Sequence, residues 1–384
     1  MSKKHWAIAI KLKTTSGDLE LPTAICSCFQ QLGYKACLVR DGDQAGLEAD
    51  VLLLLITLGD YPVYCQKLKH CSSQRPVTIF WQIDPLPPED SPLEADSIGL
   101  KASRWRDFFC LYQPADMPRW KKLCTLYRLR VWGYKRCSSP GFRKACRIIK
   151  RNNGGDIHWT HIRGVMENWQ SILDSYNGGC IDHFVVSTNQ RKRFLVNRGI
   201  TAHFVPIGAH EYMGRDLGLQ RDILVGFLGS SIKHHGRRFA MLKSLGDRLK
   251  EKGIPLTQVK GCLGEQRCKW LNRTRILINL YNFSWSSAWI RFLMAARCRT
   301  LVVSEPMNDE HPMISGVHYI SATLDEMPEV ICKLLDDPVT TDQIISAAAM
   351  LCQNELTLLH SVEKLTRFGV AAKPDNMCQS FAVC

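Results

Sequence analysis

Ile223-Leu224-Val225-Gly226-Phe227-Leu228-Gly229-Ser230-Ser231 is the stretch on which the fold is read. Residues 223–228 are apolar without alternation, as expected of a strand covered on both faces. A turn follows at Gly229, Ser230 and Ser231, and a helical pattern then runs over about Gly236–Lys252. Such a helix start offers unpaired backbone N–H groups and the positive end of its dipole, both suited to a phosphate. Lys233, His234, His235, Arg237 and Arg238 add cations. The turn is not a Walker motif, and it lacks the third glycine of a dinucleotide fingerprint. Its plainer reading is a tight turn with an exposed basic helix start.

The same rhythm extends outward. Strands are expected at Trp6–Leu12, Lys35–Arg40, Ala49–Leu58, Val77–Ile83, Asp182–Ser187 and Thr201–Val205 before the stretch. After it they are expected at Leu256–Val259, Arg275–Leu280 and Thr300–Ser304. Helical patterns separate them: Pro22–Leu32, Val63–His70, His161–Tyr176 and Gln190–Asn197, then Glu265–Arg273, Ala288–Ala296, Leu324–Asp336 and Thr341–Arg367. This alternation implies parallel sheets built from right-handed crossovers. The expected class is α/β, with two Rossmann-like, doubly wound domains facing a cleft. Residues 1–207 make the first, 208–345 the second, and 346–384 a helix crossing back and a tail. Pro206-Ile207-Gly208 leads into a linker reaching about Gln220.

The chain has 384 residues, 45% hydrophobic and 22% charged, which is the length of about two domains with a core each. That composition excludes disorder as the dominant state. The longest apolar run, residues 51–56 continuing through Leu58, is far short of the roughly 20 residues of a membrane span. Met1–Trp6 lacks a secretory leader. Seventeen scattered cysteines, with no Cys-x-x-Cys, argue for reduced thiols. A cytoplasmic location is the expectation. The net charge of +14 is concentrated, because residues 101–151 hold 15 Lys and Arg against Asp107 and Asp116. In this basic helical region Trp105, Trp120 and Trp132 interleave with Arg128, Arg130, Lys135 and Arg136. The expected partner is a polyanion, such as nucleic acid or an anionic glycolipid. The bland alternative is a solvated helical face.

Tyr281–Leu293 follows a strand and enters a helix, so its loop, with Trp285, lies where doubly wound folds bind ligands. Arg291, on an otherwise apolar helix, is costly to bury unless it meets an anion. Glu305 ends the next strand and points into the same crevice, where a carboxylate accepts ribose or sugar hydroxyls. In the first half Asp84, just past its strand, is the candidate general base. His158, His161 and Arg163 flank the same region. Asp41-Gly42-Asp43 has an Asp-x-Asp form but reads as a turn. No metal-ligand cluster stands out.

Taken in order, Ile223–Ser230, Arg275-Ile-Leu-Ile-Asn-Leu-Tyr281, Trp289-Ile-Arg291, Thr300-Leu-Val-Val-Ser-Glu305-Pro306 and Leu324-Asp-Glu-Met-Pro-Glu329 resemble one known domain. It is the C-terminal domain of group-1-type glycosyltransferases, nearest the spore-maturation-protein-like branch. The likeness covers about residues 180–345, and Phe80-Trp-Gln-Ile-Asp84-Pro-Leu-Pro is similar in the first half. It implies a GT-B architecture, with a nucleotide-sugar donor held by the second domain and the acceptor by the first. By family position Gly229, Ser230 and Arg291 face the diphosphate, and Glu305 the ribose or sugar. Ser231, Lys233, Arg237 and Trp285 complete the expected donor site, and Asp84 with Arg291 the catalytic pair. His161, Arg128, Arg130, Lys135 and Arg136 form the acceptor or polyanion side. No metal and no cofactor beyond the nucleotide-sugar co-substrate are expected, because cations and a helix start stabilise the leaving diphosphate. One departure stands out. Many members carry a Glu on the helix after the arginine, where this chain has Met294 in Met294-Ala295-Ala296. The rival expectation is an inactive GT-B module that binds nucleic acid, another polyanion or a protein partner through residues 101–151.

Overall fold

The computed structural model describes residues 4–12, 14–71, 75–89, 159–230, 236–285, 289–309 and 312–370. The basic region 101–151 lies outside them. The first sheet contains β1 (His5–Ile10), β2 (Lys35–Arg40), β3 (Val51–Ile56), β4 (Val77–Gln82), β5 (His183–Val186) and β6 (Ala202–Phe204). All pairs are parallel, in the order β2-β1-β3-β4-β5-β6. Its helices are α1 (Ser16–Gln31), α2 (Gln44–Leu47), α3 (Pro62–His70), α4 (Trp159–Asn177) and α5 (Asn189–Val196). Side chains alternate across a strand, so the apolar runs of β3 and β4 feed two layers. Leu53, Leu55, Ile79 and Trp81 pack with Ile25 and Phe29 of α1. Leu52, Leu54 and Phe80 pack with Tyr64 of α3 and Trp169 of α4. Asp41 accepts the N–H groups of Val63 (3.1 Å) and Tyr64 (2.9 Å), so Asp41-Gly42-Asp43 is the turn its sequence suggests.

The second sheet contains β7 (Ile223–Leu228), β8 (Leu256–Val259), β9 (Thr274–Asn279), β10 (Leu301–Ser304) and β11 (Ile320–Ser321). It is parallel too, in the order β11-β10-β9-β7-β8. It carries α6 (Gly236–Glu251), α7 (Gly264–Arg273), α8 (Ile290–Arg297), α9 (Met327–Asp336) and α10 (Pro338–Asn354), and α11 (Leu358–Val370) ends the described chain. Val225, Phe227, Ile276, Ile278, Leu301 and Val303 bury one face against Leu242, Leu245 and Ile331. The two-sheet α/β architecture is the one the alternation predicts.

The short α2 and β11 are additions to the expected pattern, and two helices differ from it in their bounds. The helix expected from Pro22 begins at Ser16, because Asp18 reaches back to the Thr15 N–H (2.8 Å) and caps an earlier turn. Pro22 then sits inside the helix, at the loss of one backbone bond. The single helix expected over Thr341–Arg367 is two, α10 and α11, broken at residues 355–357. There the Ala209 N–H donates to the Leu356 carbonyl (2.7 Å), and the Leu358 N–H donates to the Ala209 carbonyl (2.8 Å). The two passages between the sheets are thereby tied to each other. α11 returns to the first sheet, where Lys4 Nζ donates to the Gly369 carbonyl (2.6 Å) and Gly369 lies against Trp6.

A Cβ on Gly208 would lie 2.1 Å from the Thr357 carbonyl carbon and oxygen, which are backbone atoms with little room to step aside. Gly208→Ala is expected to lower stability by about 1–3 kcal/mol, read as a lower urea midpoint. An unchanged midpoint would show that the two passages can part freely.

Under α11, His183 and His203 lie with ring centroids 6.4 Å apart, and Phe368 covers both at 5.5 and 4.6 Å. Burial lowers both pKa values. Asp182 opposes this at His183, and Lys192 adds to it at His203. The unfolded chain therefore takes up protons first as pH falls. Stability is full above the ordinary His value of about 6.5 and declines as pH drops through the window below it. His210 and His318 shift the same way. The melting temperature is expected to fall between pH 7.5 and 5.5, and less steeply in the double variant His183→Gln with His203→Gln. Equal slopes would exclude this pair as a source.

Candidate active site between the sheets

In parallel sheets the loops after the strands collect at the carboxyl edge. Here those of the first sheet meet those of the second. Trp285, after β9, donates Nε1–H to the Leu86 carbonyl (2.9 Å), after β4. Asp309, after β10, accepts the N–H groups of Asn189 (2.5 Å) and Gln190 (3.3 Å) at the start of α5. The carboxylate thus caps a helix of the opposite half.

On the second-sheet side, Gly229 follows β7 with φ +145°. A Cβ there would approach an Arg291 guanidinium nitrogen to 3.3 Å. The half-buried Arg291 donates Nε–H to the Leu228 carbonyl (3.0 Å) and a terminal N–H to Asn279 Oδ1 (2.8 Å). Burial pulls its pKa below the usual arginine value, the Tyr281 hydroxyl opposing. Its guanidinium stands 5.5 Å from the centre of the Phe227 ring. Arg238 stands 5.7 Å from the same ring and donates to the Ser230 carbonyl (2.6 Å). Arg238 is only 5% exposed, and its Nε has no partner among the described residues. Burial and the charge of Arg291 push its pKa down to about 10, with Glu305 opposing. The arrangement is two guanidinium groups bonded to neutral acceptors beneath a Gly-Ser turn.

Glu305 is buried and engaged. Arg237 donates to both of its oxygens (3.0 and 2.5 Å), and the Tyr281 N–H donates to Oε1 (2.5 Å). Arg237 and Glu305 therefore compensate each other. Trp285 is 7% exposed and stacks on Phe283 with centroids 4.9 Å apart, within the apolar layer of the first sheet. Met294 on α8 is half-buried.

On the first-sheet side, Asp84 Oδ2 accepts the Thr57 hydroxyl (2.6 Å). The Asp84 carbonyl accepts Arg191 Nε–H (3.1 Å), and Arg191 is buried with hydrogen bonds to Ser187 and Thr188. Burial brings Arg191 down to about 10, with Asp84 and Asp309 opposing. Lys11, after β1, bridges Asp60 (3.2 Å) and Asp18 (3.7 Å). Burial raises the Asp60 carboxyl above the usual range, Lys11 opposing and the charges of Asp84 and Asp18 adding to the rise.

His161 lies on α4, and only its backbone is described. Ser231, Lys233, Arg128, Arg130, Lys135 and Arg136 lie outside the described residues. Asn279, Asp60, Arg191 and Asp309 carry no signal as site residues in the sequence, whereas Arg238 is among the cations read beside the turn. Among the described residues no group of three or more His, Cys, Asp or Glu could hold a metal ion. No described helix is long and apolar enough to cross a membrane.

No family model and no curated protein matches the sequence. Solved structures do resemble the fold. HepE of Anabaena, solved with UDP-glucose, has a TM-score of 0.53 at 9% identity, covering 95% of this chain and 98% of its own. Sucrose-phosphate synthase of Thermosynechococcus elongatus has a TM-score of 0.53 at 8% identity, with coverage of 95% and 98%. An alpha-glucosyltransferase solved with UDP and a 13-mer DNA containing an HMU base has a TM-score of 0.52 at 10% identity, with coverage of 96% and 100%. The chain has the GT-B fold of these glycosyltransferases: two Rossmann-like domains on parallel sheets.

The Asp309 contact generates a prediction. Asp309→Ala is expected to weaken the cross-cleft cap by about 1 kcal/mol and to raise the radius of gyration in small-angle scattering. An unchanged scattering profile would show that other contacts alone hold the halves together.

Proposed function

We propose that the chain is a metal-independent glycosyltransferase that moves a sugar, most simply a hexose, from a nucleotide diphosphate donor to an anionic acceptor. The observation that carries this reading is the pair Arg238 and Arg291: both are desolvated at the end of β7, and among the described residues neither is hydrogen-bonded to a carboxylate. A leaving diphosphate supplies the missing negative charge, and fixed cations there stabilise it as it departs. Gly229, whose own N–H is given to the Val259 carbonyl (2.9 Å), has no side chain to fill the space beside the Arg291 guanidinium. Asp84 is the candidate base for the acceptor hydroxyl, with Thr57 holding one oxygen and leaving the other to accept a proton.

The resemblance to the spore-maturation-protein-like branch supports the same assignment, as do structural neighbours solved with UDP or UDP-glucose. An anionic acceptor is supported by the charge of residues 101–151 and by the neighbour solved with DNA. The unpaired cysteines of the described residues suit a cytoplasmic location. A second reading, an inactive GT-B module that binds a polyanion or a partner protein, is favoured by Met294 at the usual acid position.

A metal-free thermal-shift panel of UDP, GDP, dTDP, ADP and CMP, with their sugar conjugates, separates the two. A ligand at 100 times its dissociation constant stabilises the fold by about 2.7 kcal/mol. One nucleotide is expected to raise the melting temperature, and Arg291→Ala to remove the rise. Absence of any shift would favour the inactive module.

A further inference from the structure

At the amino edge of the second sheet, away from the cleft, Arg221, Arg275 and Arg299 line a cavity of about 410 Å³ with Asp216, Thr341 and Asp342. The three arginines stand at the starts of β7, β9 and β10, which are neighbours in the sheet. Thr341 and Asp342 belong to the first turns of α10, whose positive dipole end adds to the field. Arg221 donates to the carbonyls of Thr274 (2.7 Å) and Cys298 (2.9 Å), and Arg275 to that of Leu335 (3.3 Å). These acceptors are neutral. Burial pulls Arg221 below the usual arginine value, with Asp216 and Asp342 opposing.

Arg299 is the informative residue. It closes α8 with φ +52°, its N–H bonded to the Ala296 carbonyl (3.2 Å) and the Thr300 N–H to the Ala295 carbonyl (2.8 Å). Such paired bonds end a helix at a position that glycine ordinarily fills, since a side chain there is strained. What the arginine provides is a guanidinium at the cavity, held by Ser346 Oγ (3.0 Å) and 3.8 Å from Asp216. A residue of higher backbone energy with its charge aimed into a cavity beside two other arginines is not accounted for by packing alone.

We propose that this cavity is a second anion site, separate from the cleft, that takes a phosphate group, free or carried on a small metabolite. The planar guanidinium forks match phosphate oxygens. Three cations against two carboxylates leave room for one such group.

The test uses the full chain with Arg291→Ala, which removes one of the two cleft guanidinium groups. Inorganic phosphate and glycerol phosphate are titrated in separate arms at constant ionic strength, with melting temperature as the readout. A saturable rise is expected in at least one arm, and adding Arg299→Gly is expected to weaken its apparent affinity at least tenfold. The larger rise names the preferred form. Glycine relaxes the φ +52° backbone, so the added variant should melt no lower than its parent without phosphate. Should it melt lower, Arg275→Gln in the same background carries the test. No saturable rise in either arm, or the same rise with and without these substitutions, would overturn the proposal. Nucleotide binding in the cleft is read separately, so its failure leaves this result untouched.

Discussion

The two hydrogen bonds that tie Ala209 to Leu356 and Leu358 fix how the sheets stand to one another. The chain passes between the halves at both places. Because the passages are paired, a shift of one half against the other must first break these bonds. Gly208 permits the approach, since Thr357 backbone fills the space of its absent Cβ. One apolar layer continues beneath, with Val205, Ile207, Ala209, Leu356 and Leu358 joining the cores of both sheets. The carboxyl edges then meet at the far side, where Trp285 reaches Leu86 and Asp309 reaches α5.

Within that frame, charge decides what the cleft can hold. A cation–π contact such as each guanidinium makes with Phe227 is worth about 0.5–2 kcal/mol. Desolvating an ion costs several kcal/mol. Arg238 and Arg291 are therefore not explained by Phe227 and neutral acceptors alone, and like charge raises their cost further. Glu305 offsets little of it, because Arg237 engages both of its oxygens. An anion at the turn lowers the energy of the whole arrangement. The same accounting separates Arg191, which bonds hydroxyls and a carbonyl beside Asp84 and Asp309 and so rests in a balanced field.

What the sequence made legible was the local part of this design. The runs at residues 51–56 and 223–228 are apolar, short and bounded by turns, and they became β3 and β7. What it hid was set by distant partners. Asn354-Glu355-Leu356-Thr357 contains no Gly or Pro, and the break there comes from pairing with Ala209. Arg237 and Arg238 are adjacent on a helix, about 100° apart around its axis, and only the positions of Glu305 and Phe227 decide which is neutralised. Trp285 follows β9 as the strand pattern implies, but its bond to the Leu86 carbonyl is made by the other half. No periodicity within either segment contains that information.

Strain marks the remaining difference between the two edges. Among the described residues, Ile56 and Arg299 are the non-glycine residues with positive φ. Ile56 is the centre of a γ-turn, closed by the Thr57 N–H on the Leu55 carbonyl (2.9 Å), a conformation that is rare and strained. A β-branched residue there costs on the order of 1–3 kcal/mol. Its carbonyl accepts the N–H groups of Ile83 (3.2 Å) and Asp84 (3.4 Å), and the turn delivers the Thr57 hydroxyl to the Asp84 carboxylate. The parallel register of β3 on β4 runs through Ile56 and Gln82, so the turn begins directly at the end of the paired strand. The strained residue thus sits directly before the hydroxyl that holds the Asp84 side chain. Arg299 carries its strain at the opposite edge of the other sheet, where its guanidinium bonds Ser346 Oγ (3.0 Å) and lies 3.8 Å from Asp216.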